Sequence, residues 1–350
     1  MKDQMPILVE VRRGNIVESR HRGVVVVSEP DGKIIALAGD PDYITSTRST
    51  IKPFQAIPLI TSGAADRFDI TSRELAVACA SHNGEPIHTE TAARILERAG
   101  LSESALLCGA HRPYSEEAAK KIECEGGSFT QLHNNCSGKH AGMLMTAVHR
   151  ELSTAGYVSI EHPVQRAIVS AFARAAGLGE DLPAGIDGCS APTFGVPLRA
   201  LALGFARLAG AGAAGGELDS DTAEAAKRIV EAMILNPEMI GGDGEFDTEV
   251  MREAHGKLIA KVGAESVYSV GVLPCERYPR GLGIAIKIDD GAKRAVSPAV
   301  LETLAQLQVL DESELERLHG FHHPLTRSYR DIPVGDIRAV FKLEIGRATP

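Results

Sequence analysis

The stretch ILVEVRRGNIVESRHRGVVVVSEPDGKIIALAG, residues 7–39, decides the fold class. It is rich in Val and Ile and is punctuated by Gly14-Asn15, Gly23 and Pro30-Asp31-Gly32. That pattern predicts short antiparallel strands over 7–14, 15–23, 24–29 and 33–39. In SEPDGK the proline presets φ and Asp-Gly supplies the tight corner. Strand signals return only near the other end, in ESVYSVGVL (265–273), GLGIAIKID (281–289) and DIRAVFKLEI (336–345).

The middle of the chain reads as helices. TIKPFQAIPLITSG (50–63) has helical spacing, with Pro53 near its start and Pro58 bending it. TSRELAVACA (71–80) opens on a Ser or Thr cap with Glu74 behind it. HTETAARILERAG (88–100) is amphipathic and ends at Gly100. Further helical stretches run over 115–123, 138–152, 162–177, 197–210, 222–236, 248–257 and 297–308, and AGAAGGELDSD (211–221) reads as a flexible connector. Strands at both ends with helices between them do not make the βαβα alternation of a doubly wound fold. The expectation is an α+β (αβα) fold in one catalytic domain, 1–350. Its antiparallel sheet comes from both chain ends, and a helical subregion, about 60–255, is inserted between them.

Composition narrows the function classes. The 350 residues are 44% hydrophobic and 24% charged, as in ordinary globular proteins. A net charge of −9 leaves no basic stripe for nucleic acid and gives no attraction to an anionic membrane. MKDQMPILVEVRRGN lacks the pattern of a secretory leader, and no apolar run reaches the roughly 18 residues of a membrane span. A cytoplasmic protein is expected. The six cysteines are scattered, which argues for reduced thiols.

Four polar clusters could carry chemistry. In TRSTIKPFQA, Ser49 and Lys52 stand at i and i+3, so one helix face would present both. A lysine whose pKa is lowered by desolvation or another cation can take a serine proton. Alone, the tetrad is better read as a capped helix with a solvated lysine, because Ser and Lys are common. ACASHNGEP (78–86) sets Ser81, His82 and Asn83 at the end of an apolar helix; an ordinary helix terminus would look the same. LHNNCSGKHAG (132–142) holds Cys136 and Lys139 three apart, with Gly138 suggesting close backbone approach. GIDGCSAPTFGVP (185–197) holds Asp187, Gly188 and Cys189. Either cysteine alone is more simply a buried thiol. Two cysteines plus a flanking His133 or His140, or Lys139, could hold zinc, although no pair has CxxC spacing.

Taken together and in this order, TRSTIKPFQA, ASHNGE, NNCSGKHAGML, DGCSAPTFGVPL and LIAKVGAESVYSVGV resemble the class 3, Rhizobium-type L-asparaginases of the asparaginase II family. The resemblance covers nearly the whole chain. It implies hydrolysis of L-asparagine, a fold like serine β-lactamases and SxxK glutaminases, and a homodimer. By position it makes Ser49 and Lys52 one catalytic pair and Ser81 and Lys261 a second. It makes Cys136, Lys139 and Cys189 the ligands of a Zn(2+) that positions substrate rather than activating water. Arg48, His140 and Asp187 fall near the substrate, and Asn83 and Gly188 lie beside them in sequence. The sequence departs in GAESV, where Ser266 stands at an expected glycine. Other SxxK amide chemistry, glutaminase or β-lactamase-like, is the alternative enzyme reading. A zinc-bound amino-acid binder without turnover is the non-enzymatic one.

Overall fold

The computed structural model describes residues 5–213 and 217–346. Residues 1–4, part of the glycine-alanine connector at 214–216, and residues 347–350 lie outside it. The chain divides into two compact units. One comprises Met1–Thr50, Val196–Glu217 and Glu249–Pro350; the other comprises Ile51–Gly195 and Leu218–Thr248.

The first unit is built on a nine-stranded antiparallel sheet. Its main path runs Leu325–Arg327, Pro333–Ala339, Ile7–Arg13, Ile16–Ser28, Leu282–Ile288, Val267–Val272 and Leu258–Val262. Ile34–Ala38 also pairs with Ile16–Ser28 and carries Glu344–Ile345 on its other edge. The two chain ends therefore meet in one sheet, as expected: Val9 lies opposite Ala339 and Val11 opposite Ile337. The α+β class follows directly from the strand signals at the two ends.

One expected boundary is wrong. The segments 15–23 and 24–29 are not two strands, because Ile16–Ser28 is a single strand of 13 residues. Gly23 makes no turn; a Cβ there would lie 2.4 Å from the Lys287 carbonyl oxygen and 2.6 Å from Leu8 Cδ1. Its glycine is required by close neighbours, a demand that resembles a turn signal in sequence. Beyond it, Val24–Val27 are each 0% exposed, since this half of the strand is covered on both faces. Each such valine contributes on the order of 1.5–3 kcal/mol of apolar burial. Helix Leu198–Ala209 lies against the sheet so closely that a Cβ at Gly283 would sit 1.8 Å from the Ala202 carbonyl oxygen.

The second unit is helical and contains most of the inserted block, although it begins at Ile51 and Leu198–Ala209 belongs to the sheet unit. Its central helix, Ser137–His149, is buried at every position from Ser137 to Ala147. Such all-round burial requires neighbours on every side. Helices Ser72–Ala78 and Pro86–Arg98 are among those packed on it. Thr71 and Glu74 form the expected capping box, and the run from Lys52 breaks at Ala56 into Lys52–Gln55 and Ile57–Thr61 around the two prolines.

Candidate active site

Lys52 is the first residue of helix Lys52–Gln55, followed by Pro53, whose missing N–H costs nothing at that position. Its side chain is 0% exposed. Nζ lies 2.5 Å from the Ala80 carbonyl oxygen, 2.9 Å from Ser81 Oγ and 3.1 Å from the Asn135 carbonyl oxygen. Burial lowers the Lys52 pKa; Cys136 opposes that shift and the Lys139 charge adds to it. A neutral amine can donate two hydrogens to the carbonyls and accept the third contact, from the Ser81 hydroxyl, on its lone pair. Ser81 is half-buried and stands beside a fully buried base.

The loop carrying Ser81 is fixed by its backbone. Ser81 N–H donates to the Ile240 carbonyl at 2.9 Å and Asn83 N–H to that of Gly241 at 2.8 Å. Gly242, at φ +118°, leaves space that a Cβ would contest, 2.2 Å from Asn83 Nδ2. Asn83 itself is buried, and its Nδ2 donates to Glu85 Oε1 at 2.9 Å, so it shapes the loop. His82 Nε2 meets Ser137 Oγ at 3.0 Å, which ties this loop to the first turn of the central helix.

His82 and His88 stack with ring centroids 4.9 Å apart, and both are 0% exposed. Burial pushes the His82 pKa well down and that of His88 to about 4. An unfolded His88 would bind a proton below about pH 6.5, whereas the folded one resists it until about pH 4. The stability linked to the neutral His88 is therefore fully present above about pH 6.5 and lost as pH falls toward 4. A shift of this size corresponds to about 3 kcal/mol. His88→Gln, able to keep the bond to the Glu238 carbonyl, is expected to flatten this slope in urea unfolding measured between pH 7 and 4.

The sulfur cluster lies in the same unit. Cys136 caps the central helix, and Lys139 and Cys189 are buried beside it, with Lys139 Nζ 3.0 Å from Cys189 Sγ. Both cysteines are free, as the scattered spacing predicts. They share a hydrogen bond that raises the Cys136 pKa and strongly lowers that of Cys189; burial opposes the latter shift and the Lys139 charge assists it. Burial works to lower the Lys139 pKa, but the two sulfurs outweigh it and raise it. These shifts favour the charged forms of Cys189 and Lys139 and the neutral form of Cys136. His140 Nδ1 meets Tyr157 OH at 2.6 Å, and its ring lies beside the Cys189 sulfur, to which its buried Nε2 makes no well-formed hydrogen bond. Burial takes its pKa down to about 4.

No group of three or more His, Cys, Asp or Glu side chains forms a metal site among the described residues. Beside the two sulfurs, the Lys139 nitrogen is 3.0 Å from Cys189 Sγ and is the nitrogen the motif resemblance assigns. Two soft sulfurs and an amine suit zinc, provided Lys139 gives up its proton. Asp187 is half-buried, contributes to the charge around Lys139 and accepts from Gly188 N–H at 2.6 Å. Gly188 thus spends its donor locally.

Arg48, Ser49 and Lys261 belong to the sheet unit. Arg48 has φ +44°, an unusual conformation for a side-chain-bearing residue, immediately before half-buried Ser49. Lys261 is 0% exposed on strand Leu258–Val262, opposite Ser269, and its Nζ donates to the Val262 carbonyl at 3.0 Å.

The chain matches the L-asparaginase II family over residues 9–339. It belongs to that family. It is therefore an amidohydrolase, and the motif resemblance is confirmed along nearly its whole length. No curated protein sequence matches it. Among solved structures, it is similar to a probable glutaminase from Bacillus subtilis complexed with 6-diazo-5-oxo-L-norleucine. That similarity is 17% identity over 82% of this chain and 84% of the other, with a TM-score of 0.39. A covalent complex of a Bacillus subtilis glutaminase with 5-oxo-L-norleucine is 18% identical over 83% and 89%, also at 0.39. Among the described residues, no helix is long and apolar enough to cross a membrane.

The 240–242 loop and Tyr157 are parts of the site outside the sequence motifs. Gly241-Gly242 in IGGDGE carried a signal, since paired glycines often mark close backbone approach. Tyr157 carried none.

Proposed function

We propose that this amidohydrolase cleaves the side-chain amide of L-asparagine, giving L-aspartate and ammonia, by serine nucleophilic catalysis with lysine bases. The observation that carries the reading is Lys52, fully buried, shifted toward its neutral form and in contact with Ser81 Oγ at 2.9 Å. A lysine held this way serves proton transfer far better than it serves a surface.

In this reading Ser49 Oγ attacks the side-chain carbonyl carbon and its proton passes to neutral Lys52. The tetrahedral centre collapses, the C–N bond breaks, and the proton returns through Ser81 to the departing nitrogen, which leaves as ammonia. Water then attacks the ester carbon, gives a proton to the lysine, and the serine oxygen recovers one as aspartate leaves. Lys261 is assigned to the second serine–lysine pair. Asp187 takes the substrate ammonium and Arg48 its α-carboxylate, with His140 nearby. Exclusion of glutamine rests on one methylene, worth roughly 1–3 kcal/mol in a pocket of fixed depth.

Cys136, Lys139 and Cys189 would hold zinc, whose contribution is a positive charge that orients substrate. Cys189→Ser is expected to lower bound zinc in metal analysis and to raise KM more than it lowers kcat. Turnover abolished at saturating L-asparagine would contradict that role. The reading as a whole is tested by ammonia release from L-asparagine, L-glutamine and D-asparagine. Selective release from L-asparagine supports it; preference for L-glutamine moves the substrate, and release from none overturns it.

A further inference from the structure

Lys287 is an unusual residue for its place. It lies in Leu282–Ile288, a strand buried at every position, opposite Val24 on one side and Val267 on the other. It is 7% exposed. Its Nζ donates to the carbonyl of Glu265, and at 2.6 Å to that of Ile288. Lysine is almost never buried without a purpose for its donors.

The target of that donor is a strained turn. Glu265 and Ser266 both have φ +57°, two consecutive side-chain-bearing residues in the left-handed region. Ser266 is 2% exposed and its Oγ has no hydrogen-bond partner, so its own side chain does not account for the conformation. At the upstream end of the turn, Gly263 N–H donates to the Val267 carbonyl at 2.7 Å. A Cβ on Gly263 would lie 3.1 Å from Thr50 Cγ2. Thr50 is the residue after Ser49 and is braced by its own bond from Oγ1 to the Thr47 carbonyl at 2.6 Å. Lys261 stands two residues before Gly263 on the strand that enters the turn.

We propose that Lys287 is a positioning residue for amide hydrolysis. It clamps the left-handed turn 263–266, which sets the strand end bearing Lys261 and packs against the neighbour of Ser49. This rests on the proposed serine–lysine hydrolysis of L-asparagine. Strain of this kind persists only where surrounding contacts over-determine it, and the Lys287 bond is one such contact. Glycine accepts the left-handed region without a clamp. Removing the strain should therefore remove the need for the lysine.

The test compares wild type, Lys287→Met, Ser266→Gly and the double variant, by kcat and KM on L-asparagine and by thermal midpoint. Lys287→Met is expected to lower kcat roughly 10- to 100-fold, as for a misplaced reacting group, with KM little changed. Ser266→Gly alone should stay near wild type, and the double variant should regain most of the lost kcat. A Lys287→Met protein with wild-type kcat, or a double variant as slow as Lys287→Met, overturns the proposal. If Lys287→Met does not fold, the double variant decides: folding with turnover supports the clamp, and folding without turnover sinks it. If wild type itself releases no ammonia from L-asparagine, the L-asparagine reading fails separately. The clamp is then judged by thermal midpoints: Ser266→Gly must raise the midpoint more in the Lys287→Met background, and equal increments overturn it.

Discussion

Lys52→Met is expected to lower kcat for L-asparagine by roughly 100- to 10,000-fold, the range for loss of a positioned proton-transfer group. Methionine fits the buried volume but cannot take a proton. The change leaves the Ala80 and Asn135 carbonyls without their lysine donor, a penalty of about 1–3 kcal/mol for each buried group left unsatisfied. It also removes the desolvation cost of a fully buried amine, which offsets part of that penalty. The protein should thus remain folded while turnover collapses, and circular dichroism beside steady-state kinetics separates the two. Lys52→Arg should not rescue, because a guanidinium stays protonated in proteins. A Lys52→Met enzyme within tenfold of wild type would remove Lys52 from the chemistry.

Gly138→Ala should be a severely damaging single methyl on the central helix. The added Cβ would lie 2.3 Å from the Val77 carbonyl oxygen and 2.8 Å from its carbonyl carbon. Both are backbone atoms of helix Ser72–Ala78 and cannot rotate aside. Either that helix or the central helix must move, and the first feeds the Ser81 loop while the second carries Cys136 and Lys139. The cost is expected to be about 3 kcal/mol or more, as for overpacking against rigid neighbours. Gly142→Ala, on the same helix, is the control: its Cβ would meet Ala78 and Leu59 at an ordinary 3.5 Å. There alanine should gain up to about 1 kcal/mol of helix propensity. Urea unfolding of the two variants checks both, and equal stabilities would refute the close-approach argument.

These examples show where sequence was informative. The strand signals at the two ends sufficed for an antiparallel sheet because strands depend on local composition and turns, both visible in 7–39 and 265–345. Gly138 announced a close approach, and the structure supplies its partner, Val77. Gly23 reads in sequence as a turn, since a glycine pressed by a neighbouring strand looks the same there. Ser49, Lys52, Ser81, Cys136, Lys139 and Cys189 were visible as motif members. Their energetics were not: the lowered pKa of Lys52 depends on its complete burial and on charges far away in sequence. The contact between Lys52 and Ser81 joins positions 29 residues apart, and no local pattern encodes it. Lys287 was invisible for the same reason, because its purpose is a carbonyl in another strand's turn.

The central claim is that amide hydrolysis passes through an acyl-enzyme on a serine served by Lys52. The most direct measurement is acid quenching during turnover of L-asparagine, followed by peptide mass spectrometry. The account predicts an aspartyl ester on the peptide containing Ser49, absent in Ser49→Ala, which should release no ammonia. Steady ammonia release by Ser49→Ala, with no acylated serine in either protein, would contradict it.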